Sequence, residues 1–308
     1  MRFLVYSEDP EVSAQLTGRA RALAEKMGGE VVALTTGDPA QGFRYGASKV
    51  VKAMGLGEFA VEPYRAALVQ AVEAVKPDVV LMGATKRGKE LAPRLAAALR
   101  VGSMTECTMV DVADGKVVVE RLTYGGSAVA RETCASSPTV VSVPPRTYTK
   151  QEASDGTGEV IELRVTAPEP RVRVLRKRSK PRASADLESA SIIVSAGRGF
   201  KAKEDLRLLE ELAKALGAQM GCTRPISADL GWMDQWVGIS GKKVRPSLYV
   251  ACGISGTIQH AAGIRDSQII VSVNSDESAG IHGLSDYSIV GDVYKVLPAL
   301  VKALRERD

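Results

Sequence analysis

Short apolar runs alternate with longer stretches of helical spacing along most of this chain. Phe3–Ser7 and Glu30–Thr36 are apolar runs of strand length. Between them, Val12–Met27 carries helical spacing and stops at Gly28-Gly29, a good helix end. Strands that alternate with helices pair in parallel and are covered by those helices. The sequence therefore predicts an α/β fold built on largely parallel sheets.

The alternation is interrupted between residues 147 and 182, which contain two glycines and three prolines. It restarts at Ser191–Ala196, and the chain of 308 residues is long enough for two domains of about 150 residues. We expect an N-terminal α/β domain over residues 1–183, ending in a basic linker. We expect a second domain, a doubly wound parallel sheet, over residues 184–308. Within the first domain, Val117–Leu122 and Thr139–Val143 have a more antiparallel character.

The positive charge of the chain is concentrated in one segment. The formal net charge is +5 and the pI is about 9.0, a balance that raises nucleic acid as a partner. Seven basic residues and no acidic ones lie between Arg171 and Arg182, and without those seven the acidic residues outnumber the basic ones by two. The segment also lacks the aromatic residues on which single-stranded nucleic acid stacks. We therefore expect no nucleic-acid partner.

Several classes of site and of location are excluded by what the sequence lacks. Two histidines and four widely spaced cysteines offer no ligand spacing for a metal, and we expect none. No apolar run approaches the roughly 20 residues that span a bilayer, and the first apolar run is too short for a signal peptide. We expect a cytoplasmic protein without membrane insertion, with its cysteines free and buried.

Four predicted strands of the second half end in glycine or a short polar residue. Ligands of open parallel sheets bind beyond the carboxyl ends of the strands, and glycines there let a ligand approach the backbone. Together the four ends predict a nucleotide site. They are Gly197-Arg198-Gly199, Gly253-Ile254-Ser255-Gly256, Asn274 and Gly291-Asp292.

Each of these elements also has an ordinary structural interpretation. The glycines are compatible with plain turns, and Asn274 with a helix cap. Arg224 is compatible with a surface ion pair, and His260 with a satisfied core histidine. The chain has no Walker A motif, no GxSxG elbow and no third glycine of the NAD fingerprint. A nucleotide site without acid–base residues suggests that a cofactor supplies the chemistry.

Residues 248–263 (LYVACGISGTIQHAAG) closely resemble the characteristic motif of the electron transfer flavoprotein α subunit. The resemblance continues through residues 270–274 (IVSVN) and 285–292 (SDYSIVGD), and upstream through Thr223-Arg224-Pro225 and residues 237–241. In the first half, residues 43–47, 83–85 and 93–95 also resemble the family, so that the likeness covers the whole chain. It implies a heterodimer with a β subunit, in which FAD lies on the C-terminal domain of α and carries electrons one at a time.

Carried over by position, the resemblance implies a set of residues that contact FAD. Arg224 would lie against the flavin ring, Ser240 would donate to flavin N5, and His260 would lie at the N1/O2 edge, so these three would be the catalytic residues. Asn274 and the backbone around Ser255–Gly256 would hold the FAD chain, with Asp292 near its adenosine end. The full set is Arg198, Thr223, Arg224, Val237, Gly238, Ile239, Ser240, Ser255, Gly256, Thr257, Ile258, Gln259, His260, Asn274, Asp292 and Val293.

Some positions depart from the common pattern of the family. Thr223 replaces a serine, Ile239-Ser240 replaces Gln-Thr, and residues 225–232 are one residue longer. These departures resemble the nitrogen-fixation-associated and electron-bifurcating branch. The loop after Asn274 lacks a usual proline, and we expect His282 in that loop to be a surface residue.

The leading functional hypothesis is therefore an electron carrier subunit rather than a stand-alone enzyme. It would move electrons from dehydrogenases or NADH to a quinone-reducing or ferredoxin-reducing acceptor. Two alternatives stay open: a nicotinamide-dependent oxidoreductase acting on a small molecule, and a nucleotide-binding regulator built on the first domain. The missing third glycine weighs against the first of these, and the FAD-site pattern weighs against the second.

Overall fold

The computed structural model describes residues 1–153, 156–172, 174–176 and 187–306. The chain divides into two compact α/β units, and this confirms the predicted fold class. The first unit comprises residues 1–123 and 128–177, and the second comprises residues 124–127 and 178–308. The predicted domain boundary at residues 183 and 184 lies outside the described residues, so it stays a prediction.

The first unit is built on a parallel sheet, with the strands in the order β10-β3-β2-β1-β4-β9-β5 among the described residues. A separate antiparallel sheet, β6-β7-β8, packs with α1 over one face, and α3 and α4 cover the other. The strands are β1 (Arg2–Tyr6), β2 (Glu30–Thr35), β3 (Lys49–Met54), β4 (Val79–Gly83), β5 (Ser103–Met104), β6 (Cys107–Ala113), β7 (Lys116–Thr123), β8 (Ala128–Thr133), β9 (Thr139–Val143) and β10 (Glu159–Arg164). The helices are α1 (Pro10–Met27), α2 (Ala40–Arg44), α3 (Val61–Val75) and α4 (Gly88–Leu99).

The two strands that we expected to be antiparallel behave differently. β7 pairs antiparallel with β6 and β8, as predicted. β9 instead pairs in parallel with β4 and β5, so its prediction was wrong. All five of its residues are buried, and an uninterrupted buried run is typical of a parallel strand covered on both faces.

Local signals fix the ends of α1, the helix that follows the first strand. The side chain of Asp9 accepts hydrogen bonds from the backbone N–H groups of Glu11 and Val12, so it caps the amino end. Gly28 closes the carboxyl end in the left-handed conformation, at φ 60°. The predicted stop at Gly28-Gly29 is confirmed.

The second unit is a doubly wound parallel sheet, with the order β12-β11-β13-β14-β15 among its described residues. The chain runs from β11 to β12 at one edge and then crosses over to β13 on the other side of β11. The point between β11 and β13 is therefore the topological switch point of the sheet. The elements are β11 (Ile192–Ala196), α5 (Leu206–Leu216), β12 (Gln219–Cys222), β13 (Leu248–Cys252), α6 (Ile258–Ile264), β14 (Ile269–Asn274), β15 (Tyr287–Val290) and α7 (Val293–Arg305).

Both faces of this second sheet are packed. Leu209 of α5 and Leu297 of α7 lie in the core on one face. Tyr249 of β13 and Ile264 of α6 lie in the core on the other. None of the described helices is long and apolar enough to cross a membrane.

Truncation of Leu209 tests how far the α5 core supports this unit. Leu209 is fully buried, and we expect Leu209→Ala to lower the free energy of unfolding of the second unit by about 2–5 kcal/mol, because it removes apolar contacts and leaves a cavity. The exposed neighbour Glu210 is the matched control, and Glu210→Ala should change it by no more than about 0.5 kcal/mol. Both tryptophans, Trp232 and Trp236, lie in this unit, so tryptophan fluorescence during urea unfolding reports on it. Equal shifts for the two variants would contradict the packing described.

Candidate functional site

A cleft of about 410 Å³ opens at the switch point, between the loops that follow β11 and β13. Six of the predicted FAD contacts line it: Arg198, Thr223, Ser255, Thr257, His260 and Asn274. The other lining residues are Gly197, Gly199, Pro225, Gly253, Ile254, Asp276 and Ala279. The structure thus brings together residues that are up to 82 positions apart in the sequence.

The glycines at the base of this cleft let two loops pass each other closely. The backbone N–H of Gly199 donates to the carbonyl of Gly253 at 3.0 Å. A Cβ atom on Gly197 would lie 2.2 Å from that same carbonyl oxygen, which no side chain tolerates. Gly253 itself has a φ of 63°, in the left-handed region that favours glycine. The sequence predicts that these glycines let a ligand approach the backbone. In this structure the atoms that lie against them belong to the opposite loop.

Asn274 fixes the shape of the loop that follows β13. Its side-chain Nδ2 donates to the backbone carbonyl of Ile254 at 2.7 Å, and its Oδ1 accepts from the backbone N–H of Asp276 at 2.9 Å. The N–H of Ile281 donates to the carbonyl of Ser255 at 3.1 Å. These bonds hold the Ser255 loop from behind and leave the Ser255 side chain exposed at the cleft.

Thr223 presents a polar atom that no described residue satisfies. Its hydroxyl Oγ1 is buried and has no hydrogen-bond partner among the described residues. A buried hydroxyl without a partner is costly, and Thr223 lines the cleft, so a bound polar ligand would relieve this cost. Arg198 and Arg224 are exposed, Arg198 on the cleft lining and Arg224 directly after Thr223. The donor set therefore fits a ligand with acceptor atoms and negative charge.

His260 is buried and both of its ring nitrogens have partners. Nδ1 lies 3.0 Å from the backbone carbonyl oxygen of Val237, and Nε2 lies 3.1 Å from the hydroxyl of Tyr249. A carbonyl only accepts hydrogen bonds, so Nδ1 carries the proton and Nε2 accepts from Tyr249. Burial lowers the pKa of His260 to about 4, although the bond to Val237 opposes this shift. The imidazole is therefore neutral at pH 7. The predicted contact of His260 with the flavin edge stays a prediction.

The turn that contains Ser240 is attached to α6 by its backbone. The N–H of Ile239 donates to the carbonyl of Gln259 at 2.8 Å. A Cβ atom on Gly263 would lie 2.6 Å from the Cα atom of Gly238, so α6 and the turn are in direct backbone contact. Ser240 is exposed at the tip of this turn.

Two of the other predicted contacts, Asp292 and Val293, follow the last strand of the sheet. Gly291 donates its N–H to the carbonyl of Asn274, which places the next residue, Asp292, at the carboxyl edge. Asp292 caps α7 by accepting from the N–H of Tyr294 at 3.0 Å, and Val293 is buried in the core. Ten predicted contacts do not line the cleft: Arg224, Val237, Gly238, Ile239, Ser240, Gly256, Ile258, Gln259, Asp292 and Val293.

His282 differs from its expected place on the surface. Its ring is partly buried, and Nδ1 lies 2.9 Å from the hydroxyl of Ser272, a fully buried residue of β14. The side chain thus ties the loop before β15 to the sheet. The residue pattern gave no signal for this, because the pairing depends on how the loop folds back.

The cysteines and the acidic residues of the described chain provide neither a metal site nor a reactive thiol in this unit. No cluster of candidate metal ligands occurs among the described residues. Cys222 and Cys252 are buried, and burial raises the pKa of both thiols to about 12. Thiols with so high a pKa are inert.

Comparison with known proteins assigns both units to protein families. Residues 186–265 match the electron transfer flavoprotein FAD-binding domain family, and residues 7–168 match the electron transfer flavoprotein domain family. The second unit is thus a flavin-binding domain of the doubly wound class.

The chain belongs to the electron transfer flavoprotein family, as a protein of the α-subunit type. It is 36% identical over 310 residues to Protein FixB of Clostridium saccharobutylicum, which covers 96% of this chain and 92% of the relative. It is 36% identical over 305 residues to Protein FixB of Escherichia coli O139:H28, with 97% of each chain covered. Among solved structures, the glycosyltransferase VinC in complex with DTDP aligns at 13% identity over 100% of this chain and 90% of its own, and its TM-score of 0.28 is too low to support an argument.

Substitution of Gly197 tests the close passage of the two loops. Gly197→Ala places a Cβ atom against the Gly253 carbonyl, and we expect it to lower the free energy of unfolding of the second unit, because overpacking of this kind costs about 1–3 kcal/mol. Gly283 has open space around its Cβ position, so Gly283→Ala is the matched control and should unfold like the wild type. The measurement is urea unfolding of both variants, followed by tryptophan fluorescence. Equal free energies of unfolding for the two variants would show that the loops tolerate separation.

The buried neutral state of His260 predicts a pH dependence of stability. Because the folded pKa of about 4 lies below the ordinary value of 6.5, only the unfolded state takes up a proton in this range. The contribution of neutral His260 to the free energy of unfolding is complete above pH 6.5 and is lost progressively as the pH falls towards 4. The total contribution is about 1.4 kcal/mol for each unit of difference between the folded and unfolded pKa. Urea unfolding between pH 4 and pH 7 measures this slope. His260→Gln lacks the titrating group, so equal slopes in the wild type and this variant would contradict the assignment.

Proposed function

We propose that this chain binds FAD in the switch-point cleft and carries electrons one at a time as the α subunit of a heterodimer with a β subunit. The observation that carries the proposal is the buried Thr223 hydroxyl, which has no hydrogen-bond partner among the described residues. Thr223 lines the same cleft as Arg198 within a matched FAD-binding domain. Hydroxyl and guanidinium groups are suitable donors for the oxygens of a dinucleotide.

The inner part of the cleft is suited to the FAD chain. Ser255 is exposed there, and Asn274 holds the preceding backbone in place. Arg198 offers positive charge to the pyrophosphate, and Asp292, at the neighbouring strand end, offers a carboxylate to the hydroxyl groups of the adenosine. These roles support an extended cofactor rather than a single small ligand.

The exposed residues beside the cleft are suited to the flavin ring. When bound, flavin accepts and releases electrons singly, and negative charge collects on it as it is reduced. Arg224, exposed and permanently charged, would stabilise that charge. Ser240 would donate a hydrogen bond to flavin N5. His260 is neutral, so it would contribute hydrogen bonding and orientation rather than positive charge.

Membership in the family supports a β subunit as the partner. We infer that a β subunit completes the complex in the cytoplasm. Electrons would come from dehydrogenases or NADH and pass to a quinone-reducing or ferredoxin-reducing acceptor. A nicotinamide-dependent oxidoreductase is less well supported, because Gly197-Arg198-Gly199 lacks a third glycine and meets a second loop rather than opening a helix.

The proposal is tested by co-expression of this chain with a β-type subunit. We expect a yellow complex that contains FAD and bleaches on reduction. After the complex is denatured, analysis of the supernatant identifies the cofactor that it released. NADH serves as a test reductant for the intact complex. A colourless, correctly assembled pair that takes up no added FAD would overturn the proposal.

Removal of Arg224 tests the electrostatic role assigned to it. We expect Arg224→Ala to keep FAD bound but to lower the flavin midpoint potential, by about 60 mV for each tenfold loss in one-electron stabilisation. Redox titration of the purified complex measures this shift. Arg207 is an exposed arginine on α5, and Arg207→Ala should leave the potential unchanged. An unaltered potential in Arg224→Ala would remove Arg224 from the ring environment.

A further inference from the structure

The turn at residues 237–242 holds Ser240 in a closed backbone loop. The N–H of Gly238 donates to the carbonyl of Lys242 at 3.0 Å, and the N–H of Lys242 donates to the carbonyl of Trp236 at 2.8 Å. These bonds fix the backbone of Ser240. They leave the direction of its hydroxyl hydrogen to be decided by side chains.

The indole ring of Trp236 lies directly on this turn. A Cβ atom on Gly241 would come 2.5 Å from Cδ1 and 2.6 Å from Nε1 of the indole, so Gly241 leaves space that the ring occupies. The indole Nε1 lies 3.4 Å from Oγ of Ser240. A hydrogen bond of this length adds little to stability, so we consider its effect on the orientation of the Ser240 hydroxyl.

The chemistry of the two groups sets that direction. An indole N–H only donates, whereas a serine hydroxyl has one hydrogen to donate and two lone pairs to accept with. Among the described residues, Trp236 is the hydrogen-bond partner of the Ser240 hydroxyl. Because the indole N–H is bonded to one lone pair of the Ser240 oxygen, the hydroxyl hydrogen stays free to donate away from the protein.

We propose that Trp236 is a positioning residue that turns the Ser240 hydroxyl into a directed donor towards the flavin. This inference rests on the proposed function, which places Ser240 beside flavin N5. A donor held towards N5 withdraws electron density from the flavin and raises its potential. Trp236 thus acts through Ser240 and does not need to touch the flavin.

The simpler interpretation is that Trp236 only fills space. The ring is partly buried and packs against the same core of the second unit as Trp232 does. Phenylalanine fills much of the same space and lacks the N–H. Trp236→Phe therefore separates the hydrogen bond from the packing, and Trp232→Phe is the matched control because no hydrogen bond joins Trp232 to Ser240.

The experiment is a double-mutant cycle on the flavin midpoint potential of the FAD-loaded αβ complex. We expect Ser240→Ala to lower the potential and Trp236→Phe to lower it by part of that shift. In the double variant, Trp236→Phe should add nothing, because the hydroxyl on which it acts is absent. Trp232→Phe should leave the potential unchanged. Flavin content and thermal unfolding confirm that each complex is assembled.

Several results would overturn the inference. These are an unchanged potential in Trp236→Phe, or the same shift with and without Ser240. If Trp236→Phe assembles poorly, Trp236→Leu also removes the indole N–H while keeping an apolar side chain, and an unchanged potential in that variant would likewise overturn the inference. An unchanged potential in Ser240→Ala, in a complex that still holds FAD, would overturn this inference and leave FAD binding intact. A wild-type complex without FAD would overturn the proposed function itself.

Discussion

The backbone contact between the loops after β11 and β13 is the constraint on which the site of the second unit depends. Adjacent parallel strands lie about 4.8 Å apart, so loops that leave their ends in opposite directions must diverge at once or pass within contact distance. Gly197 and Gly253 allow the second arrangement, and the N–H of Gly199 closes it with a hydrogen bond. The base of the cleft is therefore made of backbone, and its width does not depend on side-chain rotamers.

Much of this architecture could be predicted from the residue pattern, because alternation and helix ends are local signals. Five of the described strands were not identified, namely β3, β5, β6, β8 and β12, and two of them show why such signals fail. β3 carries two lysines, Lys49 and Lys52, and β12 has four residues including Gly221, so neither gives an apolar run of strand length. The direction of β9 depended on which strand it meets, and that is decided by the tertiary fold.

The site was predictable in its strand ends and not in its interior. Gly253 to Gly256 and Asn274 follow strands, and the carboxyl edge of a parallel sheet brings such positions together. The bond of His260 to Tyr249 and the bond of the Ile239 N–H to the Gln259 carbonyl depend on the approach of separate segments. For His260, a place in the site and a place in the core do not exclude each other. The residue lines the cleft, and its ring nitrogens have hydrogen-bond partners in the core.

The way the Ser240 turn is held has a consequence for how such proteins diverge. Main-chain hydrogen bonds define the turn: Val237 donates to the carbonyl of Cys222 at 2.8 Å, and Ile239 donates to that of Gln259 at 2.8 Å. Because no side chain at positions 239 and 240 is needed for this geometry, those side chains are free to change between relatives. Substitutions at the tip of the turn can therefore alter the side chains that it presents, while the backbone that supports them keeps its shape.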